Sequence, residues 1–280
     1  MSIDELIDEA LKEDLGDGDI TSLSIFPPDA CGKAQLKIKD TGVLAGVPVA
    51  ERIFRKVDTD LSVQLFIADG SPVKYGDIVL TVEGRIISIL AAERLVLNFM
   101  QRLSGIATAT ANVVTRLSGL KTRVLDTRKT TPNLRELEKY AVRMGGGVNH
   151  RIGLYDMVLI KDNHVDMAGG VVPAIEAARK YLLLHHKEEI KVEIEVRTLE
   201  ELKQAIAYGR IDRIMLDNYT PQKLKEAVEL VNGRYETEAS GGITIENVRE
   251  YAETGVDFIS IGALTHNFRS LDMNLKVIKK

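Results

Sequence analysis

Tryptophan is missing from these 280 residues, cysteine occurs once, and the 14 tyrosines and phenylalanines are scattered. Without tryptophan or grouped aromatics there is no stacking platform for single-stranded nucleic acid. A lone Cys31 excludes an internal disulfide framework and a cysteine-cluster metal site. No apolar run approaches the roughly 18 residues of a membrane span. The first residues, MSIDELIDEALKEDLGDGDIT, are acidic and amphipathic with no apolar core, so no secretory signal is read there. The expectation is a globular cytoplasmic protein that binds neither nucleic acid nor membrane.

Basic charge is also scarce except in one stretch. From Lys121 to His164 there are nine Lys or Arg against five Asp or Glu, a local charge of +4, whereas the whole chain carries −4 and the remainder therefore −8. Localised cations in an acidic chain suit a small anionic ligand better than a polyanion lying across a surface.

Two rhythms divide the chain. Up to about residue 105 it reads as α+β: a helix from Ile3 to Leu15, then alternating strands near Ala34–Lys39, Ser62–Ala68 and Ile78–Glu83. Turn residues at Asp69-Gly70-Ser71-Pro72 and Tyr75-Gly76-Asp77 punctuate them. A helical pattern from Ala91 to Leu117, interrupted at Ser104-Gly105, bridges to the second part and ends near the glycine stop Gly119. From there an apolar strand, a polar residue at its carboxyl end and an amphipathic helix recur. The strands are TRVLD, DMVLIKD, IKVEIEV, RIMLDN, YETEASGG and VDFISIGA; the helices start near Pro132, Val172, Leu199, Pro221 and Ile245. Serial βα units predict a parallel sheet curling towards a barrel. A full eight-unit barrel takes about 250 residues, more than remain, so an incomplete one is expected. The domain reading is 1–105, then a 106–266 barrel, then a 267–280 tail packing back on the amino-terminal domain.

Barrel active sites lie at the carboxyl ends of the strands. The residues closing these strands are Arg128 with Lys129, Lys161, Glu195, Asp217, Ser240 with Gly241, and Gly262. Glu193 and Glu195 face the same way in KVEIEV. In a sheet covered on both faces, burying carboxylates is costly, which favours function over a solvated face, more strongly for Glu195 than for Glu193. Asp217 is either a site acid or the cap of the helix beginning near Pro221, a task Asn218 or Thr220 could perform instead. Two carboxylates near one site suit Mg²⁺ with substrate phosphates. Arg128 and Arg151, with His150 alongside, suit bidentate pairing with planar carboxylates. Arg135, Lys139 and Arg143 read as a solvated helix face, Gly145-Gly146-Gly147 as a weak signal, and His185-His186 as a solvated connection. Ser240-Gly241-Gly242 and Gly262-Ala263 resemble the phosphate cradle of late barrel loops, with plain glycine turns as the alternative.

The segments ALKEDLGDGDIT, AERLVLNFMQRLSGIAT, DTRKTTPNLRELEKYAVRMGGGVNHRIGLYDMVLIKDNH, EIEV, IMLDN, EASGGI and ISIGALTH together resemble the quinolinate phosphoribosyltransferases, the decarboxylating pyridine-nucleotide enzymes. One departure is Asn133, where the family commonly has glycine. The resemblance implies an α/β protein with an amino-terminal α+β sandwich-like domain and a seven-stranded incomplete β/α barrel. It implies quinolinate and phosphoribosyl pyrophosphate as substrates, and Mg²⁺ near Glu195 and Asp217. Arg128, His150 and Arg151 would hold the quinolinate carboxylates; Lys129, Lys161, Glu195 and Asp217 would surround the second substrate, with Ser240, Gly241 and Gly262 on its 5-phosphate. It further implies a homodimer, with a hexamer left open, in which Arg102 serves the other subunit's site. The residues alone leave Arg102 on an amphipathic helix. Other readings are a related transferase for another anionic ring, a Schiff-base aldolase using Lys161, and a binding protein without turnover.

Overall fold

Helix α1 (Ile3–Leu15) begins where the sequence supplies a reciprocal cap: the Glu5 amide donates to the Ser2 hydroxyl and the Ser2 amide donates to the Glu5 carboxylate. The computed structural model describes residues 2–278. After α1 come α2 (Ile20–Ile25), β1 (Cys31–Ile38), β2 (Gly42–Val43), α3 (Val47–Val57), β3 (Ser62–Leu65), β4 (Pro72–Val73), β5 (Ile78–Arg85) and α4 (Ile86–Arg116). The later elements are β6 (Arg123–Leu125), α5 (Arg135–Met144), β7 (Val158–Ile160), α6 (Asp162–Ala168), α7 (Val171–Leu184), β8 (Val192–Val196) and α8 (Leu199–Tyr208). They continue with β9 (Arg213–Asp217), α9 (Pro221–Val231), β10 (Glu236–Ser240), α10 (Val248–Ala252), β11 (Phe258–Ser260), α11 (Ala263–His266) and β12 (Met273–Val277).

The chain forms two compact units. The first takes the residues through Ala111, Thr131–Gly146, and those from Asn267 onward; the second takes Asn112–Thr130 and Gly147–His266.

In the first unit an antiparallel sheet is ordered β12-β1-β5-β3. Ala34, Leu36 and Ile38 alternate inward from β1, the period of two that a half-covered strand requires. Helix α4 is continuous over 31 residues, so the interruption expected at Ser104-Gly105 does not occur. Those residues serve tertiary contacts instead. The Ser104 hydroxyl accepts from the Ala45 amide at 3.0 Å and donates to the Ala45 carbonyl at 3.1 Å. A side chain on Gly105 would come within 2.5 Å of the Arg269 carbonyl oxygen, so glycine marks a close crossing of the 269–270 chain.

Helix α5 also differs from expectation, because it groups with the first unit and not with the barrel strands flanking it in sequence. The Tyr140 hydroxyl donates to Asp69 at 2.7 Å, and a Cβ on Gly145 would meet the Ala107 carbonyl at 2.3 Å. Nor are its cations a solvated face: Lys139 is fully buried, Arg135 half-buried and only Arg143 exposed. Asn133, just ahead of this helix, has φ of +65°, a left-handed conformation that glycine adopts freely and asparagine tolerates best among other residues.

The second unit is an incomplete β/α barrel. Its six parallel strands are ordered β6-β11-β10-β9-β8-β7. The seventh position is reduced to a single parallel bridge between Val148 and Leu125. All five residues of β8 are buried, as a sheet covered on both faces demands. His185 and His186 are exposed, in agreement with a solvated connection.

Candidate active site

The carboxyl ends of the barrel strands open onto one pocket of about 600 Å³. Each strand delivers its closing residues to it: Arg128 and Lys129 beyond β6, His150 and Arg151 beyond the Val148 bridge, Lys161 beyond β7, Glu195 from β8 and Asp217 from β9. Ser240 and Gly241 close β10, and Gly262 follows β11. Of the eleven residues expected at the site, these ten line the pocket. Arg102 does not: it lies in the first unit, where its guanidinium donates to the Glu138 carboxylate and to the Thr131 hydroxyl and stacks 5.0 Å over Phe268.

One side of the pocket is cationic. Burial, and then the neighbouring Arg128 guanidinium, push the Arg151 pKa down, so that two like charges share this wall of the pocket. Arg151 Nη1 also donates to the Met157 carbonyl at 3.2 Å. The loop before it is tied by Asp126, whose carboxylate accepts the His150 amide at 2.8 Å and the Asn149 side chain at 2.5 Å.

Acids occupy the opposite strands. Lys161 Nζ stands 3.6 Å from Glu195 Oε2, and the Lys161 amide donates to His164 Nδ1 at 2.9 Å. Burial raises the Glu195 pKa, Lys161 opposes that rise, and Asp217 reinforces it through like charge. The cap of α9 is Thr220, whose hydroxyl accepts from the Lys223 amide. Asp217 is therefore released from capping, and it accepts instead from the Asn218 side-chain amide at 2.6 Å.

Glycine shapes the third side. Gly241 has φ of +96°, and a Cβ there would lie 2.2 Å from Asn218 Oδ1. The Asn218 amide donates to the Ser240 carbonyl at 2.8 Å, interlocking the β9 and β10 ends. At Gly262 a Cβ would meet Lys129 Cδ at 3.0 Å and His266 Nε2 at 3.2 Å. Gly241 is thus required by its left-handed backbone and by the close Asn218 backbone, whereas a side chain on Gly262 would press only on the movable Lys129 and His266 side chains.

Two family models match most of the chain: the quinolinate phosphoribosyl transferase C-terminal domain over residues 106–276 and the N-terminal domain over residues 19–104. This chain belongs to the quinolinate phosphoribosyltransferase family. Its relatives include a quinolinate phosphoribosyltransferase [decarboxylating] 2, mitochondrial, of Nicotiana glauca, 45% identical over 98% of this chain and 81% of that one. A probable nicotinate-nucleotide pyrophosphorylase [carboxylating] of Bacillus subtilis (strain 168) is 41% identical over 99% of this chain and 94% of that one. Among solved structures, NadC from Streptococcus pyogenes superposes with a TM-score of 0.93 at 40% identity, covering 99% of this chain and 97% of that one.

Against this family background, the pocket also holds residues that sequence reasoning did not single out: Asn218, Glu238 and His266. Asn218 was read only as a possible helix cap, and His266 was visible only as a letter inside ISIGALTH. Glu238, in EASGGI, sits at the pocket floor with no solvent exposure, alongside the equally buried Glu193 of β8. Burial raises the pKa of both carboxyls, and the Glu193 charge raises that of Glu238 further.

Proposed function

We propose that this protein transfers the phosphoribosyl group of phosphoribosyl pyrophosphate to quinolinate with loss of CO₂, giving nicotinate mononucleotide and pyrophosphate. The observation that carries the reading is the meeting of a half-buried guanidinium pair, two strand-end carboxylates and two glycine-containing loops in a single pocket. Arg128 and Arg151 take the two carboxylates of the pyridine ring, with His150 beneath them. Clamping the ring through two points sets the nitrogen towards C1 of the ribose, an orientation effect of up to about 7–11 kcal/mol when geometry is ideal. Amides near Ser240, Gly241 and Gly262 receive the 5-phosphate.

Glu195 and Asp217 fit a hard divalent cation, because two oxygen donors stand on adjacent strand ends and the Asp217 charge already destabilises ionised Glu195. They would hold Mg²⁺, which supplies positive charge opposite the pyrophosphate. Lys129 and Lys161 stabilise the negative charge that grows on the departing oxygens, an interaction strongest in the transition state. The ring nitrogen, quaternised on joining the ribose, then stabilises the electron pair left on the adjacent ring carbon when its carboxylate departs as CO₂, and a proton from solvent bonds to that carbon to complete nicotinate mononucleotide. A homodimer with Arg102 reaching the partner's pocket, and residence in the cytoplasm, belong to the same reading. An arginine pair beside Lys161 suits a dicarboxylate better than the neutral carbonyl substrate of a Schiff-base aldolase.

The test is direct. Purified protein is incubated with quinolinate, phosphoribosyl pyrophosphate and Mg²⁺, and nicotinate mononucleotide and CO₂ are assayed together. Binding of quinolinate with release of neither product would leave a silent binding protein on this scaffold.

A further inference from the structure

Two buried acids beneath the pocket take no part in the chemistry above. Glu193 on β8 and Glu238 on β10 lie either side of β9 and are both 0% exposed. Their carboxylate oxygens and an imidazole nitrogen of His150 all lie within 4.8 Å of one another. His150 Nε2 is 3.0 Å from Glu193 Oε2 and 3.5 Å from Glu238 Oε2. Neither Glu193 oxygen has an aligned hydrogen bond among the described residues. A buried carboxylate in that position is costly unless a proton is directed at it.

The other imidazole nitrogen decides which proton that is. The Arg151 amide donates to His150 Nδ1 at 2.7 Å. A ring nitrogen that accepts an N–H carries no proton of its own, so the proton of the neutral ring resides on Nε2, facing the acids. The same three side chains form a donor set that a divalent ion could use. However, Arg213 Nη1 already stands 3.2 Å from Glu238 Oε2 and supplies a cation from β9.

We propose that Glu193 and Glu238 are positioning residues of the quinolinate site, holding His150 as its Nε2–H tautomer so that Nδ1 anchors the Arg151 backbone and aims its guanidinium. His150 then has no ring N–H to offer a substrate carboxylate, and its contribution is orientation. The inference deepens the proposed function and rests on Arg151 meeting quinolinate.

The tautomer can be read without substrate. In protein labelled with ¹⁵N-histidine, long-range ¹H–¹⁵N correlation at neutral pH should show His150 with its proton on Nε2, the signal being assigned by its loss in His150→Asn. An Nδ1–H or doubly protonated ring in the unaltered protein would overturn the proposal whether or not the enzyme makes nicotinate mononucleotide. Kinetically, Glu238→Gln and Glu193→Gln should each raise the KM for quinolinate roughly tenfold, the loss of about one hydrogen bond's worth of alignment, while the KM for phosphoribosyl pyrophosphate stays within about twofold. Equal increases for both substrates, or none, would indicate a merely structural role and count against it. Should either variant fail to fold, the tautomer of the unaltered protein still decides the matter.

Discussion

Arginine 128 and arginine 151 illustrate how much a single residue can carry here. The Arg128 guanidinium disfavours the charge on Arg151, and an incoming dicarboxylate relieves that repulsion while making charge-assisted hydrogen bonds. Arg128→Ala should therefore raise the KM for quinolinate by about 10- to 100-fold, from a loss of about 1.5–3 kcal/mol, with a much smaller effect on phosphoribosyl pyrophosphate. Steady-state kinetics with each substrate varied in turn checks this, and equal losses would refute the assignment. Asp58 makes a different residue-scale case. Its carboxylate accepts from Arg85 Nε at 2.8 Å and from the Ser88 hydroxyl at 2.7 Å, and the Arg85 bond, first among the causes, holds its pKa well below the usual range. A depressed folded pKa means that the stability it contributes is fully present above the unfolded value near 4 and drains away as pH falls below it. Asp58→Asn should cost about 2 kcal/mol at neutral pH and should flatten the fall in melting temperature between pH 5 and the acid limit. A variant melting profile parallel to the parent's would show that another group controls acid unfolding.

At the level of elements, Gly105 inverts a common rule. Glycine to alanine inside a helix ordinarily stabilises by about 0.8–1 kcal/mol. In α4 the added methyl would run into the Arg269 carbonyl and Ser270 Cα, both backbone atoms that move only together. Gly105→Ala should lower the melting temperature, and a higher one would mean that the 269–270 crossing yields easily. The same residue shows where the sequence was legible and where it was not. The βα rhythm located all six hydrogen-bonded barrel strands and put eight of the site residues at their ends, because burial on both faces leaves few places for a charge except the rim; the Val148 bridge that carries His150 and Arg151 is too short to show a period. A glycine inside a helical pattern, by contrast, looks identical whether it breaks the helix or admits a distant stretch of chain. Helix α5 was read as a barrel helix for a related reason: its amphipathic pattern records that one face is covered, not what covers it. The pairing of Glu193 with His150 was equally hidden, since their 43 positions of separation are bridged only once the sheet has formed.

For the whole molecule, the assembly reading predicts complementation. If Arg102 serves a neighbour's pocket, Arg102→Ala and Lys161→Ala subunits are each inactive alone, yet a mixed dimer contains one intact site. Equal mixing after reversible dissociation should restore about a quarter of the parental activity, the statistical share for a two-fold symmetric pair. Mixtures that stay inactive while sedimenting as dimers would place Arg102 in its own subunit's chemistry. One more consequence comes from β12. It hydrogen-bonds to β1, with Met273 opposite Ile38, 235 positions apart by subtraction. During synthesis the ribosome releases β1 long before its edge partner exists, so the first sheet must wait with one border uncovered until nearly the whole polypeptide has emerged. Nascent chains truncated just before Met273 should accordingly be more open to protease in their first hundred residues than across the already translated barrel.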